Sequence, residues 1–283
     1  MKRPKCLLVY RTHIWPFKDE KHPGLKVDYT NLISHLTGAI QRYNSKEDRK
    51  YDYDFVISLH NESGQGGETY GHKMHHVTID DILSLGLPTN DTLRESYKKS
   101  GLIRKPSPGN WGNDHTIRGN PMWFSGDYAI LDYYLRCDDS YDYYWNIELD
   151  TVIRGKFWKY LFSYDDVEED FLVYRYGAKS KRDQWWPWWD VMIGFEPKET
   201  YGSFFPIFRL SKKAIKELIK AYRNNTHGYC ESFVPTYLNH IGLSCGDLAC
   251  YNSFYKNECK MYHKYASQKY RIDNYKCDDK HKT

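Results

Sequence analysis

The sequence predicts an α/β fold: a mostly parallel central sheet flanked by helices, in a single domain over residues 1–283. Three stretches carry that expectation. Lys5 to Tyr10 (KCLLVY) is a short apolar run of buried-strand length. Asn31 to Tyr43 places Leu32, Ile33, Leu36, Ala39 and Ile40 at helical spacing. Asp54 to His60 (DFVISLH) is a second apolar strand. Strand, helix and strand in that order form a crossover, and a crossover joins parallel neighbours.

The remaining elements follow from punctuation and period. Trp15 to Gly24 carries Pro16 and Pro23 and reads as a turn-rich connection. Ile79 to Leu102 reads as short helices, and the glycine-rich 107–121 stretch as a long connection. Ser125 is placed to cap a helix through Asp127 to Leu135. Tyr143 to Leu149 is a strand, with further strands expected at Phe171 to Tyr174 and Val191 to Phe195. Ser211 to Tyr222 (SKKAIKELIKAY) is an amphipathic helix carrying its own serine cap, and Ser232 to His240 is helical. No repeat or linker interrupts the chain, so the domain divides only by role, into a donor-facing half (1–155) and an acceptor-facing half (156–283).

Composition narrows the function classes. Hydrophobic residues at 40% and charged residues at 28% fit a globular chain with a core. With 41 basic residues against 37 acidic, the charge is too balanced to imply a nucleic-acid partner, and the Lys-rich segment after Lys256 reads as a solvated tail or helix face. No long apolar run suggests a signal peptide or transmembrane anchor, so a cytoplasmic protein is expected. The seven cysteines include no CxxC, which points away from a zinc–thiolate site and toward free thiols; a Cys245–Cys259 disulfide is the alternative in a secreted protein. The His-rich HKMHH run (72–76) reads as a surface loop. The 27 Tyr and 9 Trp combine flat apolar faces with polar handles, which suits sugar recognition but also fits a compositional habit.

Chemistry concentrates in Tyr141 to Gly155 (YDYYWNIELDTVIRG). An apolar strand ends in Glu148-Leu149-Asp150, and residues two apart on a strand share a face. Two hard oxygen ligands at the carboxyl edge of a parallel sheet suit Mg²⁺ or Mn²⁺, or they simply cap a loop. A second feature is Asp183 to Asp190 (DQWWPWWD). Its Trp188 and Trp189, with Asp190 beside them, offer a sugar platform; a core plug or a dimer contact is the alternative.

These segments resemble known families. The ExD element resembles that of GT-A glycosyltransferases, and WNIELDTVIRG is similar to the W-x-x-E-x-D-x-x-x-x-G pattern of a fungal glycosyltransferase-like family of unknown function. The likeness extends loosely over Trp123 to Leu243. It implies a metal and diphosphate contact for Asp150, and a ribose or metal-bound-water contact for Glu148. Cys230 to Leu238 (CESFVPTYL) resembles the D-E-x-x-x-x-T-L segment of the core-2 branching and peptide xylosyltransferase group, where the Glu is the catalytic base; Glu231 takes that place, although Cys230 replaces the Asp. A first-turn acidic residue favoured by the helix dipole is its plainer role. Tyr201 to Ser211 (YGSFFPIFRLS) resembles the same group's segment beneath the acceptor, making Arg209 a diphosphate contact or a surface salt bridge.

The GT-A resemblance also implies that Tyr10, Arg11 and Thr12 line the uracil and ribose, and that Asp127 bonds the base or ribose if it does not merely cap its helix. His227 becomes a third metal ligand or a loop histidine. The resulting expectation is a Mn²⁺- or Mg²⁺-dependent, inverting transferase. It uses a UDP-sugar donor, with xylose the sugar suggested, and a carbohydrate or glycan acceptor. A bacterial or virus-encoded soluble enzyme fits best. A two-carboxylate glycoside hydrolase and a non-catalytic carbohydrate-binding protein are the rivals.

Overall fold

The structure is a computed structural model that describes residues 3–12, 29–60, 72–88, 125–148, 151–154, 161–181, 189, 191–251 and 260–263. Asp150, Trp188 and Asp190 lie outside the described residues, as do Asp183 and the 107–121 connection.

The first half comprises β1 (Lys5–Thr12), α1 (Tyr29–Asn44), β2 (Asp52–His60), β3 (Met74–Val77), α2 (Ile79–Ser84), α3 (Tyr128–Arg136), β4 (Tyr143–Glu148) and β5 (Thr151–Arg154). The second comprises β6 (Phe171–Ala178), β7 (Met192–Ile193), β8 (Tyr201–Ser211), α4 (Lys212–Arg223), β9 (His227–Gly228), α5 (Cys230–His240), β10 (Cys245–Asp247), α6 (Leu248–Tyr251) and β11 (Lys260–His263).

The central sheet has seven strands in the order β10-β6-β8-β4-β1-β2-β3. Every ladder is parallel except the two made by β8, which runs against both β4 and β6. The expected α/β class is therefore observed. The chain adds β2 and β3 on one side of β1, then crosses to β4 on the other; β8 inserts between β4 and the earlier β6, and β10 pairs with the far side of β6. The order reverses between β1 and β4, and a crevice opens outside the carboxyl ends of strands at such a switch point.

Two cores flank the sheet. Leu7 and Val9 of β1, with Tyr144 of β4, pack under α3, α4 and α5, whereas Leu8 and Tyr10 pack on the α1 face. Alternation along β1 sends neighbouring side chains to opposite cores. Helix α1 buries Ile33, Leu36, Ala39, Ile40 and Tyr43, the stripe its period predicts. Helix α4 buries Ala214, Ile215, Leu218, Ile219 and Tyr222 and turns its lysines outward; Ser211 accepts the Ala214 N–H at 3.0 Å, as a serine cap should.

Four local expectations change. The cap of α3 is Asp127 and not Ser125, which is buried earlier and offers its carbonyl to the Tyr128 N–H. The HKMHH run is not a surface loop: Met74–Val77 pairs with β2, and His75 is buried with Nε2 2.6 Å from Asp132 Oδ2. The segment after Lys256 is not all solvated tail, because β11 pairs antiparallel with β5 and sets His263 opposite Thr151. Cys245 is a free thiol, so it forms no bridge to Cys259; among the described cysteines Cys250 is disulfide-bonded, a state that persists in oxidising surroundings. Among the described residues no helix is long and apolar enough to cross a membrane.

Candidate functional site

The switch point is occupied by an ion pair. Arg11 and Glu148 are direct cross-strand partners at the carboxyl ends of β1 and β4. Period-two alternation puts both side chains on the α3 face, above Val9 and Asn146. Their charged ends form a salt bridge, with side-chain exposures of 9% for Arg11 and 21% for Glu148. The carboxylate is the more open of the two.

The turn into α3 shapes the floor. A Cβ at Gly126 would stand 3.3 Å from both Arg11 Nη1 and Phe205 Cδ1, so glycine lets the guanidinium lie against the backbone. Asp127 follows, fully buried. Its Oδ2 accepts the Tyr222 hydroxyl at 2.8 Å. Burial pushes its carboxyl up to about 6, with the Tyr222 bond and the Arg11 charge holding it lower than burial alone would.

The wall opposite is α5. Pro235 inside this helix has no N–H to give to the Glu231 carbonyl, and the Ser203 hydroxyl donates to that carbonyl instead at 3.1 Å. Thr236 Oγ1 pins the next turn to β8, accepting from Tyr201 N–H at 2.8 Å and donating to the Tyr201 carbonyl at 3.0 Å. The first turn of α5 is thereby fastened to the start of β8, and Glu231 Oε1 accepts the Phe205 N–H at 3.3 Å. The Tyr229 hydroxyl bonds the same carboxylate, and the Arg11 charge reaches both Tyr229 and Cys230. Residues 11, 126–127, 148, 205 and 231, remote in sequence, thus meet at one edge of the sheet.

Among the described residues Asp127 Oδ1 and both amide atoms of Asn146, which precedes Glu148 by two residues on β4, are buried on this face without a hydrogen bond, as are Trp145 Nε1 and Arg209 Nε on the α1 face. Each such atom costs about 1–3 kcal/mol. A hard divalent cation fits the donor chemistry of Glu148, a carboxylate at a strand end. Among the described residues there is no group of three metal-binding side chains, and Asp150 lies outside them.

Other sequence expectations fare differently. Tyr10 is buried in the α1-face core, and Thr12 is buried on that same side by strand alternation, so Arg11 alone of the three points to the α3 face. Arg209 is neither a diphosphate contact nor a surface salt bridge. It pairs with Trp145 toward the amino end of β4 and is buried on the α1 face. There it donates to the carbonyls of Tyr164 (2.9 Å), Val167 and Glu169 (3.4 Å), 4.3 Å above the Tyr143 ring. Trp189 is 3% exposed and offers no open stacking face. His227 is buried in β9 with Nε2 3.2 Å from Asn225 Oδ1, and burial lowers it to about 4, which keeps the ring neutral.

Sequence reading missed the roles of Gly126, Tyr222 and Phe205, which only shape the site, and the arrival of β11 beside Thr151. Gly126 and Tyr222 stand in stretches read as helices, and nothing in their spacing points to Arg11 or Asp127.

No protein-family model matches the chain. No curated protein matches it either. Among solved structures, a glucose-1-phosphate thymidylyltransferase from Bacillus anthracis, crystallised with sucrose, aligns over 86% of both chains at 12% identity and a TM-score of 0.35. A likeness of that size carries no argument about this chain, whose architecture rests on its own strand order and whose site rests on its own residues.

Proposed function

We propose that the chain is a divalent-cation-assisted, inverting glycosyltransferase that moves a sugar from a UDP-sugar to a carbohydrate or glycan acceptor. One observation carries the reading: Arg11, Asp127, Glu148 and Glu231 converge from four segments on the switch point of an open, mostly parallel sheet. Sugar transfer from a diphosphate needs positive charge for the departing diphosphate and a proton acceptor for the attacking hydroxyl, and a guanidinium and carboxylates can supply these.

Glu148, with Asp150, is the pair that would hold Mn²⁺ or Mg²⁺. When bound, the cation neutralises charge on the departing diphosphate. Arg11 supplies a fixed positive charge at the same place, and its guanidinium matches phosphate oxygens in geometry. Asp127 is fully buried against Tyr222 and backs the site from beneath, its carboxyl raised to about 6 by burial and so mostly ionised at neutral pH. Glu231 is the base. It takes the proton from the acceptor hydroxyl as that oxygen attacks the anomeric carbon and the bond to the diphosphate oxygen breaks. The Phe205 N–H and Tyr229 hydroxyl aim its carboxylate.

Thermal unfolding with UDP and Mn²⁺ together tests the reading. Ligand at 100 times its Kd stabilises by about 2.7 kcal/mol, a clear shift in Tm. Unchanged unfolding with UDP and Mn²⁺, or stabilisation by free oligosaccharide alone, contradicts it.

A further inference from the structure

Strand β8 breaks its ladder where it reaches the candidate site. Val173 of β6 pairs with Phe208, and the next residue, Tyr174, pairs with Phe204, so three residues of β8 oppose none of β6. On the other side the ladder with β4 ends at Ile207, opposite Ile147. Phe205 and Pro206 therefore have no ladder partner on either neighbouring strand. A bulge of this kind bends a strand and re-aims what it carries. Proline suits the place, because it has no N–H to give to a ladder.

Two backbone groups in the bulge are used at the site. The Phe205 N–H donates to Glu231 Oε1 at 3.3 Å. The Pro206 carbonyl accepts the Thr151 hydroxyl at 3.3 Å. Thr151 is 2% exposed and opens β5, three residues after the Glu148 end of β4. The Thr151 hydroxyl thus joins the strand that follows Glu148 to the bulge that holds Glu231.

We infer that the Phe205–Pro206 bulge, clamped by Thr151, is the device that sets Glu231 for proton transfer, with Thr151 and Pro206 as positioning residues. This rests on the functional reading above and adds two residues that act through Glu231. Pro206 keeps the segment out of the ladder. Thr151 fixes the bulge relative to the strand end at Glu148. The Phe205 N–H carries that placement to the Glu231 carboxylate. A base must stand within hydrogen-bond reach of the hydroxyl it deprotonates, and a misplacement of about 1 Å can cost about a hundredfold in rate.

Release of UDP from UDP-xylose, UDP-glucose, UDP-galactose and UDP-N-acetylglucosamine supplies the assay, with Mn²⁺ in the buffer and water as acceptor. The best of the four donors is carried forward. In that reaction the water oxygen attacks the anomeric carbon, the bond to the diphosphate oxygen breaks, and the water proton goes to Glu231. Thr151→Val keeps the shape and deletes the hydroxyl; kcat should fall about tenfold with donor KM unchanged. Thr151→Ser restores the hydroxyl and should return kcat to within about threefold of the parent. In the Glu231→Gln background, Thr151→Val should slow the remaining turnover by less than about twofold, because the base it positions is gone. Loss of folded enzyme would instead scale both backgrounds alike. An equal loss in both backgrounds, or a Ser variant as slow as the Val variant, overturns the inference. If Glu231→Gln abolishes turnover but Thr151→Val leaves it at the parent level, the clamp is wrong while the functional reading stands. If the parent releases UDP from none of the four donors, or Glu231→Gln keeps near-normal turnover, the functional reading fails and the inference with it. Should Thr151→Val not fold, Pro206→Ala decides. It returns an N–H to the bulge, and should slow turnover about threefold or more, but not in the Glu231→Gln background.

Discussion

Asp127→Asn should make the protein less sensitive to alkaline pH, and the size of the effect follows from burial. Asp127 is fully buried, and lost hydration lifts its carboxyl from 3.8 to about 6 against the Tyr222 hydrogen bond and the Arg11 charge. The folded chain therefore keeps this proton to a higher pH than the unfolded chain does. Stability from this group is fully present below 3.8 and is lost as pH rises through about 6. The full difference amounts to about 3 kcal/mol at alkaline pH. Roughly 2 kcal/mol of it disappears between about pH 4.5 and about pH 8. Asparagine keeps an acceptor for Tyr222 and has no proton to lose. Urea unfolding of both proteins at those two pH values measures the change directly. The stability difference should swing by about 2 kcal/mol in favour of the variant as pH rises. A difference that stays constant across the range refutes the claim that an ionisable group is buried at the foot of α3.

The other perturbations separate scaffold from chemistry. His227 is lowered from 6.5 to about 4 by burial, so stability from its neutral form is present above 6.5 and lost as pH falls through about 4. His227→Gln should flatten that acid limb by about 3 kcal/mol, read by unfolding at a series of acidic pH values. Arg209→Met should cost about 2–5 kcal/mol of stability by stranding the carbonyls of Tyr164, Val167 and Glu169, while UDP affinity measured by calorimetry stays at the parent value. Glu231→Gln should lower kcat by about two to four orders of magnitude with donor affinity nearly unchanged, and the parent's product should have the inverted anomeric configuration. A Gln variant with near-normal turnover removes Glu231 from the mechanism.

What the sequence could reveal depended on whether the signal was local. Strands β1, β2 and β4 are apolar runs whose length and flanks identify them, and α1 and α4 show their buried stripes in their period. The strand end at Glu148 was legible for the same reason. β3 was not: MHHV has two histidines in four residues, and only pairing with β2 and the Asp132 carboxylate makes a buried histidine there tolerable. β10 and β11 are short strands formed by partners far away in sequence, so no local pattern announces them. Among site residues, period two already implied that Tyr10 and Thr12 face away from Arg11, and their burial bears out that alternation. Arg209 stood near the right motif but at the wrong end of an antiparallel strand, and strand direction is a tertiary property. The convergence of Glu231 on Phe205 depends on Pro235, Ser203 and Thr236 together, a docking that no single segment encodes.

The most direct measurement of the central claim is a crystal of the full chain soaked with UDP and Mn²⁺. The account predicts the diphosphate at the carboxyl ends of β1 and β4, with a phosphate oxygen beside Arg11 and Mn²⁺ on Glu148. UDP bound at another edge of the sheet, or at this edge with no cation on Glu148, contradicts it.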